Sequence, residues 1–173
     1  MKKFFSASLV AGLSTLMLTG LFVAPVHAAE GRVKARGANG MVAAGTHNGN
    51  SYVRGHGAKT NSDGSTTTGS GAAFKTNTGA AGARGSATTY NPDGSVEHEG
   101  GFATSGARGN VNSQGGFTRN ADGTSSGSRT TNATNAQNGN SYTGTTTYDS
   151  TNGVSRQSSC KDASGNAIAC PTR

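Results

Sequence analysis

Apolar and polar residues alternate along parts of this chain with the period of two that is typical of a β-strand. The clearest alternation sets Val96, His98, Gly100 and Phe102 against Glu97, Glu99 and Gly101. Other segments, such as residues 65–68 and 143–148, are rich in Thr and poor in helix formers. These patterns predict strands, and the alternation around Phe102 predicts one with a half-buried face.

A four-residue turn recurs between the predicted strands. Its copies are Asn61-Ser62-Asp63-Gly64, Asn91-Pro92-Asp93-Gly94, Asn120-Ala121-Asp122-Gly123 and Ser150-Thr151-Asn152-Gly153, whose closing glycines are 30, 29 and 30 residues apart. We expect the first residue to cap its own backbone and the closing Gly to adopt a positive φ, as in a type I turn with a Gly bulge. Such a turn closes a β-hairpin, in which Tyr90 would face Val96.

Weaker turn sequences lie halfway between these copies, so the chain is expected to reverse about every fifteen residues. They are Asn48-Gly49, Thr78-Gly79, Arg108-Gly109 and Asn138-Gly139. This repeat predicts an all-β fold, a Gly-, Thr- and Ser-rich antiparallel β-meander of about eight to ten strands over residues 47–173. Residues 29–46 show no clear turn period and are predicted to be a flexible leader. The composition leaves two alternatives open, a largely disordered chain and a β-solenoid.

The first 28 residues have the order of a secretory signal peptide. Lys2 and Lys3 precede an apolar stretch over residues 4–23, and Val26-His27-Ala28 offers small residues to a signal peptidase. We predict cleavage between Ala28 and Ala29, which leaves a secreted or periplasmic chain without a membrane span. The alternative, an uncleaved anchor, is disfavoured by the Ser, Thr and Gly residues within the apolar stretch.

The predicted mature chain has too few large apolar residues for an ordinary core. All five Leu residues precede residue 28, and residues 29–173 contain seven aromatic residues and eight Val, Met or Ile residues. Removing Lys2 and Lys3 from the 15 basic residues leaves 13 against 8 acidic ones, a net charge of +5. A weakly charged, polar and Gly-rich chain of this kind tends to self-associate, because little repulsion separates its copies.

Cys160 and Cys170 are the only cysteines. In an exported protein they most simply form one disulfide, which would staple a final hairpin. A tight turn closing on Gly165 would place Cys160 opposite Ile168, whereas a looser turn would place it opposite Cys170. Because disulfide geometry is restrictive, we expect the second register. The spacing matches no metal-binding or redox motif.

The remaining candidate residues do not suggest a catalytic site. The histidines His47, His56 and His98 have no metal-ligand spacing to a Cys, Asp or Glu, and Glu97 and Glu99 point away from His98 in a strand. No nucleophile motif surrounds any Ser. We therefore expect no enzyme activity, no cofactor, no metal and no small-molecule substrate.

Arg-Gly pairs are the last feature with functional meaning. They occur at Arg36-Gly37, Arg54-Gly55, Arg84-Gly85 and Arg108-Gly109, and their main expected role is to keep a sheet soluble. The sequence favours an exported, self-assembling β-repeat protein of the bacterial envelope or extracellular matrix, a fibre, biofilm or surface component. The alternative is a secreted or periplasmic module that binds a polyanion such as an acidic polysaccharide, extracellular DNA or lipopolysaccharide.

Overall fold

The computed structural model describes residues 30–171, which form one open antiparallel sheet. Its strands lie side by side in chain order. They are β1 (Gly31–Gly37), β2 (Gly40–His47), β3 (Asn50–Thr60), β4 (Thr66–Lys75), β5 (Ala81–Tyr90), β6 (Val96–Gly106), β7 (Gly109–Arg119), β8 (Ser125–Asn135), β9 (Ser141–Asp149), β10 (Gly153–Lys161) and β11 (Ala167–Ile168). The predicted meander is confirmed: β3 to β11 are nine strands, within the eight to ten expected over residues 47–173, and β1 and β2 precede them. The predicted signal peptide and its cleavage site at Ala28 and Ala29 lie outside the described residues.

The prediction of a flexible leader over residues 29–46 is wrong. This segment supplies β1 and most of β2, which pair from Gly31 opposite Thr46 to Gly37 opposite Gly40. Their connection is a two-residue turn, Ala38 and Asn39, and the Asn39 carbonyl accepts a hydrogen bond from the Ala58 N–H of β3, 2.8 Å away. The turn lacks the Asn-x-Asp-Gly sequence of the repeat, so the sequence pattern did not predict a reversal of the chain there.

The turns between strands have the predicted backbone conformation at most positions. Gly64, Gly94 and Gly123 have φ of 83°, 85° and 87°, and the first turn closes with the Asn61 N–H bonded to the Ser65 carbonyl at 2.8 Å. A second bond runs from the Gly64 N–H to the Asn61 carbonyl, and the same pair of backbone hydrogen bonds closes the turns that begin at Thr76 and at Asp162. Across the Asn91 turn, Tyr90 pairs with Val96 as predicted.

Two details of the turn prediction need correction. The Asn61 side chain does not cap its own backbone; its Nδ2 donates to Ser65 Oγ at 2.9 Å, while Asp63 Oδ1 accepts from the Ser65 N–H, also at 2.9 Å. The repeat therefore has a fifth position, Ser or Thr, which the four-residue pattern omitted. The segment from Ser150 to Gly153 is also different, because its loop is organised by Asp149, whose Oδ1 accepts from the Thr151 N–H at 2.8 Å.

The sheet is a single layer, so both of its faces lie open. Among the described residues the only buried apolar side chains are Ala43 and Cys160, and all seven aromatic rings are more than one third exposed. Backbone hydrogen bonds between neighbouring strands, rather than a core, hold this fold together. Ten spacings of about 4.8 Å make the sheet about 48 Å wide across its strands.

The two faces have different compositions, which follow from the register because directly paired residues share a face. We call one the arginine face. Its cations are Arg32, Lys34, Arg36, Arg54, Arg84, Arg119, Arg129 and Arg156, and its rings are Tyr52, Phe74, Tyr90, Phe102, Phe117, Tyr142 and Tyr148. The opposite face consists mainly of Gly, Ala, Ser, Thr and Asn, and we call it the small-residue face.

Candidate functional site

The arginine face is the more highly charged of the two. Its seven arginines and Lys34 are all exposed, and no carboxylate of any strand shares this face, so its strand residues carry eight positive charges. The small-residue face carries Lys59, Lys75 and Lys161 against Glu97, Glu99 and Asp149, which balance to zero. The sheet therefore has a cationic surface and an electrically neutral one.

None of these eight cations forms an ion pair with a described residue. Between residues 30 and 171 the one ion pair joins His47 Nδ1 and Glu30 Oε2 at 3.7 Å, beside the turn that connects β2 to β3. Arg129 instead donates from Nη1 to Ser113 Oγ at 3.1 Å, and that hydroxyl also lies 2.9 Å from Thr131 Oγ1. The guanidinium groups keep most of their hydrogen-bonding capacity for a ligand.

Six of the cations form a band across the middle of the arginine face. Lys34, Arg54 and Arg84 lie in one row on β1, β3 and β5, with Ala43 and Ala72 between them. Successive cations in that row are two strands apart, or about 9.6 Å. Arg36, Arg129 and Arg156 occupy the next row, about 7 Å further along the strands. We call these six residues the cationic band.

Aromatic rings flank the cationic band on both sides. Phe117 and Tyr148 lie in the next row on one side, on β7 and β9, with Gly127 of β8 between them. Tyr52, Phe74 and Tyr142 lie in the row on the other side. Tyr90 lies one row beyond Phe117, and Phe102 lies within the band beside Arg84. Six of the eight cations thus lie along the middle of this face, and every ring except Phe102 lies to one side or the other of them; Arg32 and Arg119 are the cations that lie in rows of the rings.

Several of these rings lie over glycines of the sheet. A Cβ placed on Gly45 would be 2.8 Å from Cε1 of Tyr52, and one on Gly82 would be 2.5 Å from Cε1 of Phe74. The absence of a side chain at these positions lets each ring lie against the backbone, the arrangement known as aromatic rescue of a glycine. Because the other side of each ring has no second layer above it, it faces solvent.

The small-residue face is held by hydroxyl and amide contacts instead of rings. Thr67 Oγ1 lies 2.9 Å from Thr89 Oγ1, and Thr130 Oγ1 lies 3.2 Å from Thr145 Oγ1. Further along the sheet, Asn132 links β7 to β9, because its Nδ2 donates to Asn112 Oδ1 at 3.1 Å and its Oδ1 accepts from Thr143 at 2.9 Å. These contacts use polar groups that would otherwise be free for a ligand.

The aspartates of the turns are used in local structure. Hydrogen bonds from the Ser65 hydroxyl and then the Ser65 backbone lower the pKa of Asp63, and Ser95 and Thr124 do the same for the pKa values of Asp93 and Asp122. For Asp149 the lowered pKa comes first from backbone hydrogen bonds of residues 151 and 152. These carboxylates stabilise turns in their ionised form.

The predicted disulfide between Cys160 and Cys170 is present, with Cα atoms 5.2 Å apart. The predicted register around it is wrong, since Cys160 pairs with Ile168 and not with Cys170. Strand β11 ends at Ile168, so the chain beyond it leaves the ladder and Cys170 can reach back to Cys160. Register and disulfide are therefore compatible, and the disulfide fits an oxidising, extracellular or periplasmic location.

Both sides of the sheet end in strands with unpaired backbone. All seven residues of β1 pair only with β2, and β10 pairs with β11 only through Cys160 and Lys161. Within the described chain, the outer side of Gly153–Ser159 consequently has no strand partner. Edges of this kind can add a further strand.

Residues singled out for chemistry in the sequence are dispersed in the structure. His98 lies on the arginine face and Glu97 and Glu99 on the other, and His98 stacks on Phe117 with ring centres 5.3 Å apart. No group of three His, Cys, Asp or Glu residues that could hold a metal occurs between residues 30 and 171. The shared face of the arginines was not predicted from the sequence, because it depends on the register of every hairpin: Arg119 and Arg129 are odd-numbered and Arg54 and Arg84 even-numbered, yet all four lie on one face.

No protein-family model, curated protein or solved structure matches this chain.

Proposed function

We propose that this protein is an exported structural subunit that assembles edge to edge into fibres or sheets outside the cell, rather than a catalyst. The observation that carries the proposal is the single-layer sheet with an unpaired strand at each side. A layer without a core gains further backbone hydrogen bonds each time another strand joins it.

The two edges are suited to joining head to tail. β1 has seven residues, and the unpaired part of β10, Gly153–Ser159, also has seven. In a meander β1 and β10 run in opposite directions, so β1 of a second copy would lie antiparallel to β10. Because a contact between two different edges leaves one of each free, addition can continue without closing.

In one register of this contact, Gly153 of β10 pairs with Gly37 of the next copy. The arginine faces of the two copies then form one surface and the small-residue faces another, because directly paired residues share a face. In this register Arg156 lies opposite Lys34, a like-charge pair that disfavours the contact. Assembly should consequently be faster at higher ionic strength, where this repulsion is screened.

The composition and the disulfide support the exported setting of this proposal. The N-terminal residues have the order of a secretory signal, and the Cys160–Cys170 bond suits a compartment in which thiols are oxidised.

A substitution on the β10 edge tests the proposal. The Asp162 N–H donates to the Asn166 carbonyl, so the alternation along β10 points the Ser158 N–H toward the open side. Ser158→Pro removes that donor without removing a β9–β10 hydrogen bond, and Ser158→Thr is the matched control. After days at neutral pH, electron microscopy should show unbranched fibres for the natural chain and Ser158→Thr but only small particles for Ser158→Pro.

Fibre diffraction adds a second measurement, a reflection at about 4.8 Å along the fibre axis. Fibres that form equally well from Ser158→Pro would exclude the β10 edge as the contact. A natural chain that stays monomeric at high concentration would contradict the proposed function itself.

A further inference from the structure

We infer that the arginine face binds single-stranded nucleic acid, with the cationic band holding the phosphates and the flanking rings stacking on the bases. The inference concerns a face of the sheet and does not depend on assembly through its edges.

Charge complementarity is the first support for a polyanionic ligand. The cationic band contains Lys34, Arg36, Arg54, Arg84, Arg129 and Arg156, which are all exposed and have no carboxylate partner among residues 30–171. No acidic strand residue shares their face. A row of like charges held at fixed spacing on a rigid sheet is repulsive by itself, and a linear polyanion would relieve that repulsion and release its own counterions.

The use of Arg rather than Lys on this face is the second support. Seven of the eight cations on the arginine face are Arg, whereas the three cations of the small-residue face are all Lys: Lys59, Lys75 and Lys161. A guanidinium group contacts phosphate through two parallel N–H groups and stacks on planar rings, which an ammonium group cannot do. If the only role of these charges were solubility, nothing would separate the two residue types between the faces.

The separation of charges from rings favours nucleic acid over an acidic polysaccharide. In a single-stranded nucleic acid the phosphates form one line and the planar bases project to the side. In an acidic polysaccharide the charged groups are attached to the sugar rings themselves and share their line. The arginine face has six of its eight cations in the two middle rows and rings such as Phe74 and Phe117 about 7 Å to either side, which matches the first arrangement.

The orientation of the rings is the third support. Tyr52 and Phe74 lie against Gly45 and Gly82, so that each ring keeps one side toward solvent. Their exposed fractions are 38% and 46%. Proteins that bind single strands without sequence preference use such exposed rings as stacking platforms, beside a basic surface that follows the backbone.

The test compares two variants that change the net charge equally. Arg54→Gln, Arg84→Gln and Arg129→Gln together neutralise three cations of the band, and Lys59→Gln, Lys75→Gln and Lys161→Gln neutralise three on the small-residue face. The protein is purified from a bacterial host that exports it, and binding of a fluorescent oligo-dT is measured by anisotropy at several salt concentrations. Circular dichroism checks that both variants keep the sheet.

For the natural chain, six phosphate contacts would give a slope of log affinity against log salt of at most about −4, or a loss of up to about 300-fold between 50 and 200 mM salt. The arginine variant should reduce the size of that slope by about 2 and weaken binding at least 30-fold at low salt. The lysine variant should stay within about threefold of the natural chain. Equal losses in the two variants would overturn the assignment to the arginine face.

Two competitors identify the ligand class. Oligo-dT should displace the probe at least tenfold better than an abasic deoxyribose-phosphate polymer of the same length, because only the former can stack. It should also compete better than a polyuronate of the same total charge. Equal or better competition by the polyuronate would overturn nucleic acid as the ligand, and the absence of any binding at low salt would overturn the inference altogether. The Ser158→Pro chain, used in parallel, separates these outcomes from any effect of assembly.

Discussion

The two faces of the sheet are built from the same strands and yet are stabilised in different ways. On the arginine face, rings such as Phe74 lie over glycines of the next strand, and cations such as Arg54 are paired with small residues such as the buried Ala43. On the small-residue face, pairs such as Thr67 and Thr89 join strands through their hydroxyl groups. Without a core, the side chains of each face can be stabilised only by contacts within that face. The arginine face is the one whose polar groups keep unused hydrogen-bonding capacity.

The largest expected difference between the faces comes from two glycines of β5. Gly82→Val would push the Phe74 ring away from the backbone, since even a Cβ would lie 2.5 Å from Cε1 of that ring. We expect a loss of about 1–2 kcal/mol in the free energy of unfolding, typical of overpacking. Gly85 lies on the small-residue face, where a Cβ would meet only Ser70 O at 3.7 Å.

Gly85→Val is therefore the matched control, and we expect it to change stability by no more than about 0.5 kcal/mol, because β-branched residues suit a strand. Urea unfolding followed by circular dichroism measures both variants. Similar losses for the two would mean that the rings do not depend on the glycines beneath them.

A smaller effect is expected from one hydroxyl group of the small-residue face. Thr67→Val removes the contact with Thr89 Oγ1 and the acceptor of a 3.0 Å hydrogen bond from Asn61 Nδ2. The cost should be about 1 kcal/mol, the usual value for one hydrogen bond, because Asn61 Nδ2 keeps Ser65 Oγ as an acceptor at 2.9 Å. Thr147→Val, on the same face of β9, removes a hydroxyl that forms no hydrogen bond among the described residues, and its stability should stay close to that of the natural chain.

The smallest effect is expected at the ends of the strands, which belong to neither face. The folded-state pKa values of Asp63, Asp93 and Asp122 are below the ordinary 3.8. Their contribution is therefore present above about pH 4 and is lost as the pH falls through the lowered values. The midpoint temperature of thermal unfolding should decrease as the pH is lowered from 5 to about 2.5. The decrease should be smaller in a chain in which all three aspartates are replaced by Asn. An identical fall in both chains would assign the acid sensitivity to other groups.

The parts of the fold that depend on local backbone chemistry could be predicted from the sequence. The positive φ of Gly94 and the pairing of Tyr90 with Val96 both follow from a short turn sequence, which acts within a few residues. Strands β1 and β2 could not be predicted in this way, because the turn between them, Ala38 and Asn39, uses no special residues. The register at Cys160 was not predictable either, because no local pattern shows that the last strand ends at Ile168 and frees Cys170 to reach Cys160.

The candidate site was less accessible from sequence for a different reason. Arg54, Arg84 and Lys34 are 20 or more residues apart in the chain, and they form a row only because each hairpin keeps an unshifted register. A shift of one residue in any strand would have moved its cation to the other face. The functional surface is therefore a property of the whole ladder, and no short motif encodes it.

The missing core has a consequence for the response of this protein to temperature. Unfolding normally raises the heat capacity because it exposes buried apolar surface, but here nearly every large apolar side chain is already in contact with water. The heat capacity change should therefore be well below the usual value of about 12–15 cal/mol/K per residue. The curve of stability against temperature is then shallow, so that the sheet would keep a similar stability in cold and warm surroundings.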